Sequence, residues 1–308
     1  EISFKGILSQ VAALRTVDHL RILGRYVTCD AAGYHLEADA RHVDLLTQGL
    51  LDPKSKPVTT PCCREEDMTD DGRRPLTPYD TTLFRSLTMR AAYLSLDRPD
   101  IAYAVRRLSK SMSAPTEASM KAFKRLGRYL LFRPRVVLDF PWCKTTPTTL
   151  TCDTDADFAG CRESRKSCSG FSANLGKFPI RFSSKGQNVV SLSTSESEFY
   201  GLIGCVATGL GLQQLAADLG MTLTVTCRAD ATSTIAMAKR TGLGKAKHIA
   251  TGFLWVQDVI KQGRCLLIKV STLENKADLG TKPLSAEKVT YLTEQYGGRF
   301  CTGRHLLA

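Results

Sequence analysis

No Cys-x-x-Cys pair occurs in the 308 residues, although there are eleven cysteines, and only Cys62 and Cys63 lie close together. Adjacent cysteines rarely bridge each other, and the five histidines are not at metal-ligand spacing with the cysteines. A disulfide framework and a structural zinc site are therefore not expected. The cysteines read as reduced, mostly buried small apolar residues of an intracellular protein. The N-terminus, Glu1-Ile2-Ser3-Phe4-Lys5, lacks both an initiator Met and a basic-then-apolar targeting pattern, so the chain reads as a piece of something longer. The longest uncharged stretch, 199–217, contains Thr208, Gln213, Gln214 and four glycines, and reads as a buried helix rather than a bilayer span. There is no internal repeat. What is present is ordinary for a globular chain, 43% hydrophobic and 23% charged, which excludes wholesale disorder, and the length suits two domains.

Charge is in excess of one sign. Lys and Arg number 42 against 30 Asp and Glu, a formal net charge of +12. Residues 1–60 carry seven charges of each sign, 61–150 carry sixteen basic and ten acidic, and 151–308 carry nineteen and thirteen. Within 101–135 the count is nine to one. That concentration favours a polyanionic partner, nucleic acid, over a merely solvated helix face.

The first fifty residues read as strand, turn, strand, helix. Residues 20–29 are apolar-rich, Asp30-Ala31-Ala32-Gly33 supplies turn chemistry, 34–37 returns, and Asp39 suits the N-cap of a helix bearing Val43, Leu46 and Leu50. Five prolines (Pro53, Pro57, Pro61, Pro75 and Pro78) and the acidic run Glu65-Glu66-Asp67 then mark an exposed linker. Residues 80–132 follow a helical period, with Leu83, Leu87, Ala91 and Leu94 on one stripe and Ile101, Ala104, Val105, Leu108 and Met112 on the next. A third helix turns Met120, Phe123, Leu126 and Leu130 inward and leaves Lys121, Lys124, Arg125 and Arg128 outward. From 147 the period changes to two. Strands are expected at 149–158, 168–175 and 178–184, a helix from the cap-rich Ser193-Thr194-Ser195-Glu196, a strand at 221–227, helices at 232–239 and 249–261, and a fifth strand at 265–270. Meandering strands followed by alternating helix and strand specify a mixed α/β sheet.

Spacing alone does not select a site among the carboxylates of this second half. Asp153, Asp155 and Asp157 are two apart on a predicted strand and are expected to project from one face, an unfavourable arrangement unless cations or solvent compensate. Asp230 follows an apolar strand, where open α/β sheets place ligands. Glu198 falls in the first turn of a helix, and Asp278 lies near the start of another.

As an ordered set these pieces resemble one family. Asp155-Ala156-Asp157-Phe158-Ala159-Gly160 is similar to the D-A-D-W-A-G opening of the ribonuclease H domain in copia-type LTR retrotransposon Pol polyproteins. The resemblance continues through Ser167-Cys168-Ser169-Gly170-Phe171, Ser183-Ser184-Lys185-Gly186-Gln187 and Leu192-Ser193-Thr194-Ser195-Glu196-Ser197-Glu198-Phe199. It ends with Asp230, Lys247-His248-Ile249 and Ala277-Asp278-Leu279-Gly280-Thr281-Lys282-Pro283-Leu284. Upstream, Tyr93-Leu94, Arg98-Pro99-Asp100-Ile101-Ala102-Tyr103-Ala104-Val105 and Arg125-Leu126-Gly127-Arg128-Tyr129-Leu130 resemble the segment after the polymerase palm. The similarity runs over roughly 75–285, more weakly over 20–60.

The resemblance implies the C-terminal part of a reverse transcriptase. Its fold would be a ribonuclease H-like mixed five-stranded sheet flanked by helices and preceded by a helical connection or thumb-like segment. The expected division is a remnant following the palm at 1–51, the linker at 52–79, the helical segment at 80–146, the ribonuclease H-like domain at 147–285 and a tail at 286–308. The implied activity is hydrolysis of the RNA strand of RNA–DNA hybrids during reverse transcription, with Asp155, Glu198, Asp230 and Asp278 as the metal-binding, catalytic carboxylates. All-oxygen donors select hard cations, two Mg²⁺ with Mn²⁺ as the substitute. Of Glu196 and Glu198, the second is preferred, because it directly precedes the apolar run and residues two apart face differently. Asp157, Glu196 and His248 stand as secondary candidates, His248 with a structural or helix-capping role preferred. Phosphate contacts are expected from Arg162, Arg165, Lys166, Lys185, Lys245 and Lys247, and from Lys121, Lys124, Arg125 and Arg128.

Three departures from the family pattern stand out: Phe158 for Trp, Ala231 where Asn or Ser follows the third acid, and Gly280 for a larger residue. No Tyr-x-Asp-Asp occurs, so this chain is not expected to synthesise DNA. The partners implied are the hybrid and the remainder of the polyprotein, with no membrane. The location implied is intracellular, in cytoplasmic virus-like particles or the nucleus. The rival reading is a catalytically silent nucleic-acid-binding module from a decayed or host-adopted element.

Overall fold

Leu23 and Gly24 both take left-handed backbone, φ 49° and 70°, and they join β1 (His19–Ile22) to β2 (Arg25–Cys29). Positive φ at both central residues matches the right-handed strand twist, and the Tyr93 hydroxyl holds the turn by donating to the Leu23 carbonyl. The hairpin opens the first of two compact units, 1–144 with 283–308; the second is 145–282. The computed structural model describes residues 5–63, 74–244 and 247–303.

In the first unit, β3 (Gly33–Ala38), β4 (Arg135–Pro141) and β10 (Gly298–Cys301) complete an antiparallel sheet in the order β1-β2-β3-β4-β10. Two of these strands differ from the sequence expectation. β4 lies inside the segment read as helical, where Val136, Val137 and Leu138 form a short buried run too brief to show a period. The presumed tail contributes α8 (Ala286–Tyr296) and β10, and Gly297 at φ 111° gives the helix its left-handed stop.

The helices of this unit fall where the helical period was expected, although the first starts after Ala40, which gives no side-chain cap, one residue beyond the expected N-cap Asp39. They are α1 (Arg41–Leu50), α2 (Pro78–Leu94), α3 (Ala102–Lys110) and α4 (Glu117–Phe132). Thr77 caps α2 ahead of Pro78, and Thr116 and Ser119 form a reciprocal capping box on α4. Phe84 and Phe123, both fully buried, meet edge to face at 5.5 Å. The Arg98-Pro99-Asp100 motif is a buried network. Arg98 donates to both Asp100 oxygens at 2.9 and 2.8 Å and to the Arg133 carbonyl at 2.9 Å, and the Tyr129 hydroxyl donates to Asp100 at 2.8 Å.

The described part of the proline-rich stretch lies along α3 and α4. Arg128 donates to the Lys56 carbonyl at 2.6 Å, Arg125 to Thr60 Oγ1 at 2.7 Å and Arg107 to the Cys63 carbonyl at 2.8 Å. Two of the outward basic residues of α4 thus hold this segment, while Lys121 and Lys124 stay exposed.

The second unit is built on β5 (Thr149–Ala156), β6 (Cys168–Leu175), β7 (Phe178–Gly186), β8 (Thr224–Ala229) and β9 (Leu266–Lys269), in the order β7-β6-β5-β8-β9. β5, β6 and β7 meander antiparallel, whereas β8 and β9 run parallel to β5. That order and sense of strands is a mixed five-stranded sheet, as the resemblance implies. Its helices are α5 (Thr194–Asp218), α6 (Thr232–Lys239) and α7 (Trp255–Lys261).

By length and apolarity α5 could cross a bilayer, yet Phe199, Leu202, Cys205 and Val206 are buried in the core formed with β5, β6, β8 and β9. Two of its glycines explain the close approach. A Cβ on Gly201 would meet Thr154 Oγ1 at 3.2 Å, and one on Gly209 would meet Val225 at 3.0 Å and Cys152 Sγ at 3.2 Å. None of the eleven cysteines is in a disulfide.

Candidate metal centre

Parallel pairing sets Asp153 level with Arg228 across β5 and β8, so Asp155 and Asp230, two residues on, arrive at the same sheet edge. This is the carboxyl end of both strands, the position where α/β sheets leave a crevice. On the other side of β5, Asp155 pairs with Gly170 of β6. A Cβ on Gly170 would lie 2.2 Å from the Ala277 carbonyl, so only glycine lets the 3₁₀ turn Lys276–Gly280 settle on the sheet. Asn275 pins that turn: its Nδ2 donates to the Thr154 carbonyl at 2.9 Å, and its Oδ1 accepts from Ala277 N–H at 3.2 Å. Asp278 in the turn is fully buried.

One oxygen from each of Asp155, Asp230 and Asp278 falls within 4.8 Å of the others. Glu198 is not in that set, but it is buried near the N-terminus of α5 and feels the charges of Asp155 and Asp230. Its Oε2 is shielded from solvent with no hydrogen-bond partner. Burial, then the two aspartates, pushes its carboxyl up to about 9. Asp155 is raised to about 6, by burial first and then by Asp278 and Asp230, against the opposing pull of Lys282 and Thr281. Thr272 Oγ1 donates to Asp230 at 3.0 Å, and the Thr281 hydroxyl donates to Asp155.

The other acids are occupied elsewhere. Asp153, though on the strand face of Asp155, is neutralised within the protein by Arg228 at 2.6 Å and Lys276 at 3.1 Å. Asp157 does not continue the row. The strand ends at Ala156, and the Asp157 carboxylate turns to accept the Cys168 N–H beside Gly160. Glu196 accepts from Leu192 N–H and from His248 Nε2, each at 2.9 Å. Burial opposes its charge, but His248, Leu192 and Tyr200 together hold its carboxyl below the usual value.

The departures also have physical counterparts. Ala231 is the N-cap of α6 and offers no capping side chain. A Cβ on Gly280 would lie 3.1 Å from the Gly170 Cα and 3.2 Å from the Ser183 carbonyl, so a larger residue would crowd there. Phe158 is 45% exposed and anchors no core.

Arg162, Arg165, Lys185 and Lys247 are exposed and Lys166 half-buried, while Lys245 lies outside the described residues. Sequence reasoning missed Asn275, Thr281 and Lys282 as parts of the site. Lys282 Nζ stands 2.8 Å from Asp278 Oδ1 and 3.3 Å from Asp155 Oδ2. The signal was in the Thr281-Lys282-Pro283-Leu284 block, but nothing in the spacing placed those side chains among the acids.

An all-carboxylate donor set, an orphaned buried oxygen and two carboxyls pushed upward by burial and by neighbouring acids together fit a hard divalent cation.

No protein-family model matches the chain. The retrovirus-related Pol polyprotein from transposon RE1 of Arabidopsis thaliana is 33% identical over 257 residues, covering 82% of this chain and 17% of that protein. The corresponding RE2 polyprotein, also of Arabidopsis thaliana, is 31% identical over 257 residues with the same two shares. Among solved structures, the foamy viral protease-reverse transcriptase in complex with dsDNA is 13% identical, matching 84% of this chain and 46% of that one with a TM-score of 0.49. The chain thus spans about a sixth of the length of the curated relatives it matches. On its sequence matches, it belongs to the family of the retrovirus-related Pol polyproteins of copia-type transposons.

Proposed function

We propose that the second unit is a ribonuclease H that hydrolyses the RNA strand of RNA–DNA hybrids, with Asp155, Glu198, Asp230 and Asp278 holding two divalent cations. The observation that carries this reading is the convergence of Asp155, Asp230 and Asp278, from three separate stretches of chain, to within 4.8 Å. Bound Mg²⁺ or Mn²⁺ supplies charge to activate an attacking water and to stabilise the leaving 3′ oxygen. The chain's own residues prepare that chemistry. Thr281 and Thr272 fix the Asp155 and Asp230 carboxylates by hydrogen bonds. Asn275 and Gly170 seat Asp278. Glu198 stays protonated at neutral pH until a cation offsets its neighbours. Exposed Arg165, Lys185, Lys247, Lys121 and Lys124 offer phosphate contacts, which position a hybrid without reading its sequence.

The test is cleavage of a hybrid labelled separately on each strand, in Mg²⁺. Wild-type chain should cut RNA only, and EDTA or Asp155→Asn should each abolish cutting. Hybrid binding without cutting by both proteins would instead establish the silent binding module.

A further inference from the structure

Lys282 stands against the acid cluster from the last position of the second unit. Its ammonium lies 2.8 Å from Asp278 Oδ1 and 3.3 Å from Asp155 Oδ2. The placement is built: Thr281, the preceding residue, donates to the same Asp155 oxygen, and the turn before it is pinned to β5 through Asn275. Asp278 is fully buried and Asp155 nearly so, and two such carboxylates cannot remain charged side by side without a nearby cation. Arg228 and Lys276 are committed to Asp153. Among the described residues, Lys282 is a cation that ion-pairs with both Asp155 and Asp278. Its side chain is 40% exposed, and a flexible four-carbon stem with a point charge can withdraw toward solvent, as a rigid guanidinium fork cannot.

We propose that Lys282 is a resident counter-cation of this site. It holds Asp155 and Asp278 together before a divalent ion binds, competes with that ion for the same oxygens, and swings out when the ion arrives. This rests on reading the cluster as a divalent-metal centre, and it adds a device that keeps the apo site folded and sets the metal affinity. A unit charge a few ångströms from a cation site weakens binding by about ten-fold or more, even with substantial solvent screening.

The full chain and its Lys282→Met, Lys282→Arg and Asp278→Asn variants are titrated with Mn²⁺ by calorimetry at low ionic strength. In parallel, lysine acetylation of the wild-type chain is followed by mass spectrometry with EDTA or saturating Mn²⁺. Lys282→Met should bind Mn²⁺ about ten-fold more tightly, and should melt lower than wild type in EDTA but not in Mn²⁺. Lys282→Arg should bind no more tightly than wild type. Lys282 of the wild-type chain should acetylate slowly in EDTA and faster with Mn²⁺. Unchanged or weaker Mn²⁺ affinity in Lys282→Met overturns the counter-cation role, as does an acetylation rate indifferent to Mn²⁺; the wild-type footprint decides even if the variant does not fold. If wild type binds no Mn²⁺, or Asp278→Asn binds it equally well, the metal-centre reading falls as well, so the two failures are distinct.

Discussion

Asp153 and Asp155 share a strand and a face, yet their partners assign them opposite energetics. Asp153 is enclosed with two protein cations, and losing it strands the buried Lys276 and the half-buried Arg228 without their partner. Asp153→Ala should therefore cost about 3–5 kcal/mol of stability, as breaking a buried ion pair does. Asp155 instead has its carboxyl raised to about 6, by burial first and then by the like charges of Asp278 and Asp230. In EDTA, Asp155→Asn should melt at or above the wild-type temperature, and denaturant titration of both variants checks the contrast. Glu198 adds a pH signature. Its carboxyl is raised from 4.5 to about 9 by burial and by Asp155 and Asp230. The folded state therefore binds the proton more tightly than the unfolded one. Its contribution to stability is full below about pH 4.5 and is lost as pH rises toward 9. Melting in EDTA across that window should fall with rising pH, and Glu198→Gln should flatten the slope; an unaltered slope would place the titration elsewhere.

Elements rather than single side chains explain why the site forms. Three glycines sit where the elements of the site approach closely. Gly201 and Gly209 bring α5 onto β5 and β8, and Gly170 admits the turn that carries Asp278. In the sequence, the first two were merely part of an uncharged run and the third part of a family block; the close backbone approach that demands them belongs to tertiary structure. Strands β5 to β9 and helices α5 and α6 were legible within a few residues, because alternation, caps and turn residues agree there, whereas α7, expected from 249, starts only at Trp255. β4 was not, since three consecutive buried residues carry no period, and neither was β10, whose partner lies some 160 residues away in sequence. The departure at Ala231 has meaning at this scale too, as an uncapped start to α6. Restoring the oxygen with Ala231→Ser should stabilise the second unit by about 0.5–2 kcal/mol, read as a shift in thermal midpoint. No shift would show that the helix start is satisfied without it.

On the scale of the whole chain, a net charge of +12 coexists with a local concentration of acids. These are complementary demands of one proposed substrate, since a polyanion needs cations along its path and hard metal ions at the point of cutting. The candidate acids could be picked out from a resemblance in ordered blocks, but the sequence offered no physical reason to prefer them over Asp153 or Asp157. Burial and ion pairing supply that reason. Asp153 is neutralised inside the protein, Asp157 is spent on a loop, and Glu196 is held by His248, whereas Asp155, Asp230 and Asp278 converge with Glu198 buried beside them. The most direct measurement is anomalous diffraction from crystals of the chain grown with Mn²⁺. The account predicts manganese peaks ligated by Asp155, Asp230 and Asp278, with Glu198 drawn in as a further ligand. Manganese absent from that cluster at saturating concentration, or bound only at other acids, would contradict it.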